Sequence, residues 1–154
     1  INILDLVSNN DPQFQKIIFS ALPYTDYLLL NEIETQLLFK KSILNAKYQL
    51  NKKLIIKLSK KIFQKGLQKA LVIHSPLESL YISKDNFYHS KSIKIPKKNI
   101  KNAVGAGDAF CAGFIFGIHE EWDIETTLKK SHAAGSAMMK IDSSSGNLPN
   151  IKNL

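Results

Sequence analysis

One cysteine, no arginine and no long apolar run set the outer limits on this 154-residue chain. Cys111 alone excludes an internal disulfide framework, and no grouping of Cys and His has the spacing of a structural zinc site. A reducing, cytoplasmic setting is the expectation. No apolar stretch approaches the ~20 residues needed to cross a bilayer, and no basic, apolar, small-residue leader opens the chain. A soluble protein with no membrane partner is therefore expected. The first residue is Ile1 rather than Met, and the sequence enters a strand-like run at once, so it reads as a piece of a longer protein.

What the chain has in excess is lysine. Its 21 basic residues outnumber 13 acidic ones, a net charge of +8, and much of the excess lies between Lys40 and Lys69. Leu50, Leu54, Leu58 and Ile62 recur every fourth residue, while Lys53, Lys57, Lys60 and Lys61 fall elsewhere around the turn, the pattern of an amphipathic helix with a wet lysine face. A basic surface can serve a polyanion, but few aromatics are interleaved, and charges on the outside of a helix need no ligand to explain them. No nucleic-acid partner is expected. A phosphorylated substrate or a nucleotide would still gain from the field.

Short strand-like runs alternate with helical ones. Ile3 to Val7 reads as a buried strand, "SNNDP" as a turn and helix start, and "QFQKIIFSAL" as a helix. "DYLLL" is a second strand, stopping at Asn31, and "EIETQLLFKK" a helix. The lysine helix spans about Tyr48 to Lys65 and stops at Gly66, before the strand "ALVIH". "SLYIS" and "SIKIP" read as strands either side of the turn "KDN". Helices are expected over Ala106 to His119, with Phe110 and Phe114 and also Gly113 and Gly117 four apart, and over Ile124 to Lys140 behind the N-cap Asp123. "DSSSGNLPN" reads as the end of regular order. At this length one α/β domain is the default, a sheet with helices on its faces.

The stretch "NAVGAGDAFCAGF" carries the chemistry. A glycine turn opening a helix presents free backbone N–H groups at the positive end of the helix dipole. Gly105, Ala106 and Gly107 are almost bare, so an anionic oxygen can approach that backbone closely. Asp108 would repel a bound phosphate unless it has its own task. A general base that takes a proton from a hydroxyl, beside donors for a phosphoryl group in flight, fits both facts. The alternative is a plain tight turn with Asp108 as a helix cap.

The run resembles the C-terminal signature of the ribokinase-like PfkB carbohydrate kinases, with Asn102, Val104, Gly105, Ala106, Gly107, Asp108 and Phe110 in pattern and Ala103 where threonine is usual. The resemblance implies the C-terminal portion of that α/β fold, a ribokinase-like sheet flanked by helices, without the N-terminal lobe and lid. It implies Asp108 as catalytic base and Gly105 to Asp108 as anion hole. "DYLLLNEIE" resembles the family's Asn-x-x-Glu element, making Asn31 and Glu34 the pair that organises Mg²⁺ and ATP phosphate, mostly through water; the same spacing is also a capping pattern. In "VIHSPLESLYIS", His74, Pro76 and Ser79 stand where the family has threonine and two glycines beside ATP. His74 and Ser79 are nucleotide-side candidates, although a lone histidine is as readily a strand-end residue. In "KKSHAAGSAMMKIDSSSGNLP", His132 and Ser136 stand on the adenine side, with helix packing as the equal alternative. Carbonyls of Asn102, Val104 and Ser143 are the candidates for a monovalent cation such as K⁺ that the resemblance implies. The implied substrate is a small sugar or a nucleoside, and the family's sugar-contacting half is absent from this sequence. A homodimer is compatible with the resemblance. A non-catalytic binding module is the rival reading, supported by Ala103, the altered "HSPLES" loop and the missing half.

Overall fold

The computed structural model describes residues 1–8, 11–142 and 149–154. They form two compact units, Ile1–His89 and Ser90–Leu154. The first is built on a five-stranded sheet in sequence order: β1 (Ile3–Asp5), β2 (Tyr27–Asn31), β3 (Ala70–His74), β4 (Glu78–Ser83) and β5 (Phe87–Lys91), whose last two residues belong to the second unit. β1, β2 and β3 are parallel, with Asp5 opposite Leu29 and Asn31 opposite His74, and β4 returns antiparallel to β3.

Strand β2 reads Tyr-Leu-Leu-Leu because both its faces are covered: Leu28, Leu29 and Leu30 are fully buried. One face packs with α1 (Phe14–Ala21), α2 (Glu32–Phe39) and α3 (Lys52–Gln64), through Leu28, Leu30, Leu71 and Ile73 from the strands and Ile18, Leu38, Ile55 and Ile62 from the helices. Each such side chain contributes about 1.5–3 kcal/mol by leaving water. The lysine side of α3 faces solvent, with the ammonium groups of Lys61 and Lys65 over the Phe19 ring at 5.2 and 5.9 Å. Helix α3 starts later than its periodicity suggests. Asn45 Oδ1 accepts from the backbone N–H groups of Lys47 and Gln49, holding a turn through Tyr48, and Asn51 caps the helix by accepting from Leu54 N–H at 3.2 Å.

The expected strand "SIKIP" is corrected to β5, five residues earlier; Ser92–Pro96 forms no strand. The turn decides this register. Ser83 N–H donates to Asn86 O and Asn86 N–H to Ser83 Oγ, both at 2.9 Å, so the chain reverses at once and pairs from Phe87. The expected β1 is also shorter, ending at Asp5.

The second unit is a helical hairpin, α4 (Ala106–His119) and α5 (Ile124–Met138), the latter capped by Asp123, whose Oδ1 accepts from Thr126 N–H at 2.8 Å. Close approach of the two helices needs Gly113: a Cβ there would sit 2.9 Å from the Ser131 Cα. Gly113→Ala is expected to destabilise this unit by about 1–3 kcal/mol, the usual cost of overpacking, as a lower thermal midpoint in circular dichroism. Part of the expected terminal stretch, from Ser143 to Leu148, lies outside the described residues; a short 3₁₀ turn follows at Ile151–Asn153. No described helix is long and apolar enough to cross a membrane.

Candidate active site

In the first unit the site candidates gather at the carboxyl ends of the parallel strands, where ligands of open α/β sheets bind. Asn31 ends β2 and is at once the N-cap of α2. Its Oδ1 accepts from Glu34 N–H at 2.8 Å, and Glu34 Oε2 accepts from Asn31 N–H at 2.9 Å, a reciprocal capping box. Ser8, missed in the sequence, donates to Glu34 Oε1 at 3.3 Å from the loop after β1. Glu34 is only 3% exposed. Burial holds its carboxyl above the usual carboxylate range, the Asp5 charge adds to that, and the bonds from Asn31 and Ser8 oppose it. The capping reading of this pair is thus the one the hydrogen bonds carry.

His74 pairs with Asn31 across the β2–β3 ladder and with Ser79 across β3–β4. His74 is partly exposed, whereas Ser79 is fully buried within β4 and presents no surface. The "HSPLES" loop is a closed turn: Ser75 Oγ donates to Glu78 O at 3.0 Å, and Glu78 N–H donates to Ser75 Oγ at 3.2 Å. Glu78, read only as part of that loop, is buried and accepts from Leu50 N–H at 2.7 Å and faces His89 Nε2 at 2.6 Å. Lys52 approaches the same carboxylate at 3.7 Å. Pairing this carboxylate with donors from two segments fastens β4 to β5 and to the start of α3. A cleft of about 280 Å³ between α1 and the end of α2, lined by Phe14, Gln15 and Gln36 among others, contains none of the candidate residues.

In the second unit, Asn102 Oδ1 accepts from Val104 N–H at 2.9 Å, a tight turn that leads into Gly105. Gly105 takes φ +81°, a left-handed conformation that residues with a Cβ rarely adopt, and it is the N-cap of α4 without any side-chain cap. Ala106 N–H reaches Ala103 O at 3.3 Å and Ala109 N–H bonds Gly105 O at 2.9 Å. The N–H groups of Gly107 and Asp108 have no acceptor among the described residues. Asp108 is exposed in the first turn and its carboxylate makes no capping bond. This arrangement offers free donors at the positive end of a 14-residue helix beside an uncommitted carboxylate. Gly105→Ala is expected to cost about 1–2 kcal/mol and to distort this turn, seen as a lower thermal midpoint in circular dichroism.

His132 and Ser136 on α5 are buried, and the His132 ring meets Phe110 of α4 edge to face at 5.0 Å between centroids. The His132 ring thus serves the packing of the hairpin. Of the carbonyl cation candidates, Asn102 and Val104 lie on the turn that leads into Gly105, and Ser143 lies outside the described residues. Among the described residues no three His, Cys, Asp or Glu side chains are grouped as a metal cage.

Comparison with known proteins gives this architecture relatives. The profile of the pfkB family carbohydrate kinases matches residues 2–151. A 1-phosphofructokinase of Borreliella burgdorferi is 28% identical over 120 residues, 77% of this chain and 38% of that protein. An adenosine kinase of Schizosaccharomyces pombe is 25% identical over 137 residues, 88% of this chain and 40% of that protein. Among solved structures, an Escherichia coli protein assigned as Ribokinase II, in complex with ATP and Mg²⁺, superposes with a TM-score of 0.70 at 17% identity, covering 92% of this chain and 42% of that one. The chain spans less than half the length of the curated relatives it matches.

Proposed function

Because this chain belongs to the pfkB family of carbohydrate kinases, we propose that it is the nucleotide-binding and catalytic-base part of an ATP-dependent phosphotransferase acting on a hydroxyl of a sugar or sugar-like substrate. The observation that carries this reading is the start of α4, where two free amides and an uncapped, exposed carboxylate stand together. Asp108 takes the proton of the acceptor hydroxyl, and the Gly107 and Asp108 amides stabilise charge on the phosphoryl oxygens.

Asn31 and Glu34 fit an outer-sphere role toward Mg²⁺. Each Glu34 oxygen and Asn31 Oδ1 already accepts one hydrogen bond, so direct ligation would disturb the cap, while a lone pair on each remains for a metal-bound water. The ion, when bound with ATP, supplies neutralisation of phosphate charge. The buried Glu34 carboxylate holds and orients that water, and the amide end of α2 adds a positive field beside it. Ser79 is fully buried within β4, so on the β-sheet side the nucleotide role rests on partly exposed His74, with His132 and Ser136 of α5 as the further candidates. K⁺ use and a cytoplasmic setting are part of the same proposal.

The acceptor class is tested by measuring ADP release with Mg·ATP, in the full natural polypeptide, across sugars, sugar phosphates and nucleosides. A kcat/KM at least tenfold higher for sugars or their phosphates supports the reading. Preference for nucleosides would move the protein to the second reading, a nucleoside kinase of the same family, which the adenosine kinase relative favours. Nucleotide binding without transfer to any acceptor would support a non-catalytic module.

A further inference from the structure

Helix α5 touches the signature turn on both of its flanks. Ahead of it, Lys101 N–H and Asn102 N–H both point to Met139 O, at 2.9 and 3.4 Å. Behind it, a Cβ built on Gly135 would sit 3.0 Å from the carbonyl oxygen of Ala106, the first residue of α4; the next nearest atoms are Phe110 Cβ at 3.8 Å and Ala106 C at 3.9 Å. Gly135 and Met139 are one helical turn apart and bonded to each other, Met139 N–H donating to Gly135 O at 3.2 Å. One turn of α5 therefore fixes residues 101–102 and residue 106, and the left-handed Gly105 hangs between these two supports. The amides of Gly107 and Asp108, without an acceptor among the described residues, follow directly.

We propose that Gly135 is a positioning residue: by lacking a side chain it lets the Ala106 carbonyl rest against α5, and so sets where the Gly107 and Asp108 amides stand. Its catalytic consequence rests on the phosphotransferase reading above; its geometric content does not. A methyl group at 3.0 Å from a carbonyl oxygen requires Ala106 to give by a few tenths of an ångström. Misplacement of about 1 Å can cost ~10²-fold in rate, so a shift of that smaller size is worth roughly 3–10-fold.

The experiment compares Gly135→Ala with Gly113→Ala in the full natural polypeptide. Both add a methyl group to the same helix pair, but Gly113 meets Ser131 in the middle of the hairpin rather than the start of α4. Two quantities are read: kcat per folded molecule with Mg·ATP and the best acceptor, and the backbone amide chemical shifts of Gly107 and Asp108. Gly135→Ala is expected to lower kcat roughly 3–10-fold with acceptor KM unchanged, and to move both amide resonances. Gly113→Ala should lower the thermal midpoint and leave both readouts alone. The proposal is overturned if the Gly107 and Asp108 resonances stay put in Gly135→Ala, or move equally in the two variants. If the wild-type protein transfers no phosphoryl group, the functional reading fails while the amide shifts still decide the geometry. Should Gly135→Ala not fold, Lys101→Pro cuts the other support by removing the N–H that donates to Met139 O. Ile100 is extended and accepts a following proline. The same amide shifts are then expected, and their absence overturns the proposal.

Discussion

Asp108→Asn is expected to lower kcat about 10²–10⁴-fold while leaving the thermal midpoint and the affinity for Mg·ATP close to wild type. The structure separates these effects cleanly. The Asp108 carboxylate is exposed, caps nothing and accepts no bond from the described residues, so neutralising it removes only the modest attraction of a charge for a helix N-terminus. On the proposed reading Asp108 accepts the proton of the substrate hydroxyl, and neither the amide donors around it nor an asparagine in its place can take that proton. Steady-state kinetics and a melting curve on the same preparation give both numbers. If stability and activity fell in proportion, Asp108 would be a residue of the fold and the catalytic role would be lost.

The second large effect is expected at Glu34, and it runs in opposite directions for function and stability. Glu34→Gln keeps an oxygen for Asn31 N–H and an amide that can donate to Ser8, so the capping box survives. What disappears is a buried charge. The wild-type carboxyl is held above its ordinary value of 4.5, first by burial and then by Asp5, so the folded state keeps this proton to higher pH than the unfolded chain does. Ionisation of Glu34 therefore opposes folding: its unfavourable contribution begins near the unfolded value, grows as pH rises through the raised folded value, and is constant above it. The stability difference in favour of Glu34→Gln should open over that window and persist at neutral pH. Phosphoryl transfer at saturating Mg²⁺ should nevertheless fall about 10–100-fold, the range for outer-sphere partners of a metal site. Urea melts from pH 4 to pH 8 alongside a Mg²⁺ titration of the rate check both. A less stable Glu34→Gln with full activity would make the pair a helix cap and nothing more.

Much of this molecule was legible because its signals are local. The apolar run of β2 comes from burial on both faces and the fourfold spacing in α3 from burial on one, and Asn31, Asp123 and Gly105 mark helix starts by chemistry contained in a few residues. Strand β5 was misplaced because it buries little: Phe87 and Tyr88 are 40% and 38% exposed, and only the turn at Ser83–Asn86 sets its register. The bond from Ser8 to Glu34 spans 26 residues and leaves no spacing to read. Glu78 is similar, joining Leu50, Lys52 and His89 through contacts that depend on how the strands and α3 come together. The contact between Gly135 and the Ala106 carbonyl joins residues 29 apart and likewise leaves no spacing to read.

The central claim is that the α4 start serves transfer of a phosphoryl group to a hydroxyl, and ³¹P NMR of the full natural polypeptide with Mg·ATP tests it most directly. With a sugar, sugar-phosphate or nucleoside acceptor present, the γ-phosphate signal should give way to a phosphomonoester, and without acceptor it should persist. ATP left intact with every acceptor, or converted to inorganic phosphate equally with and without one, would contradict the account.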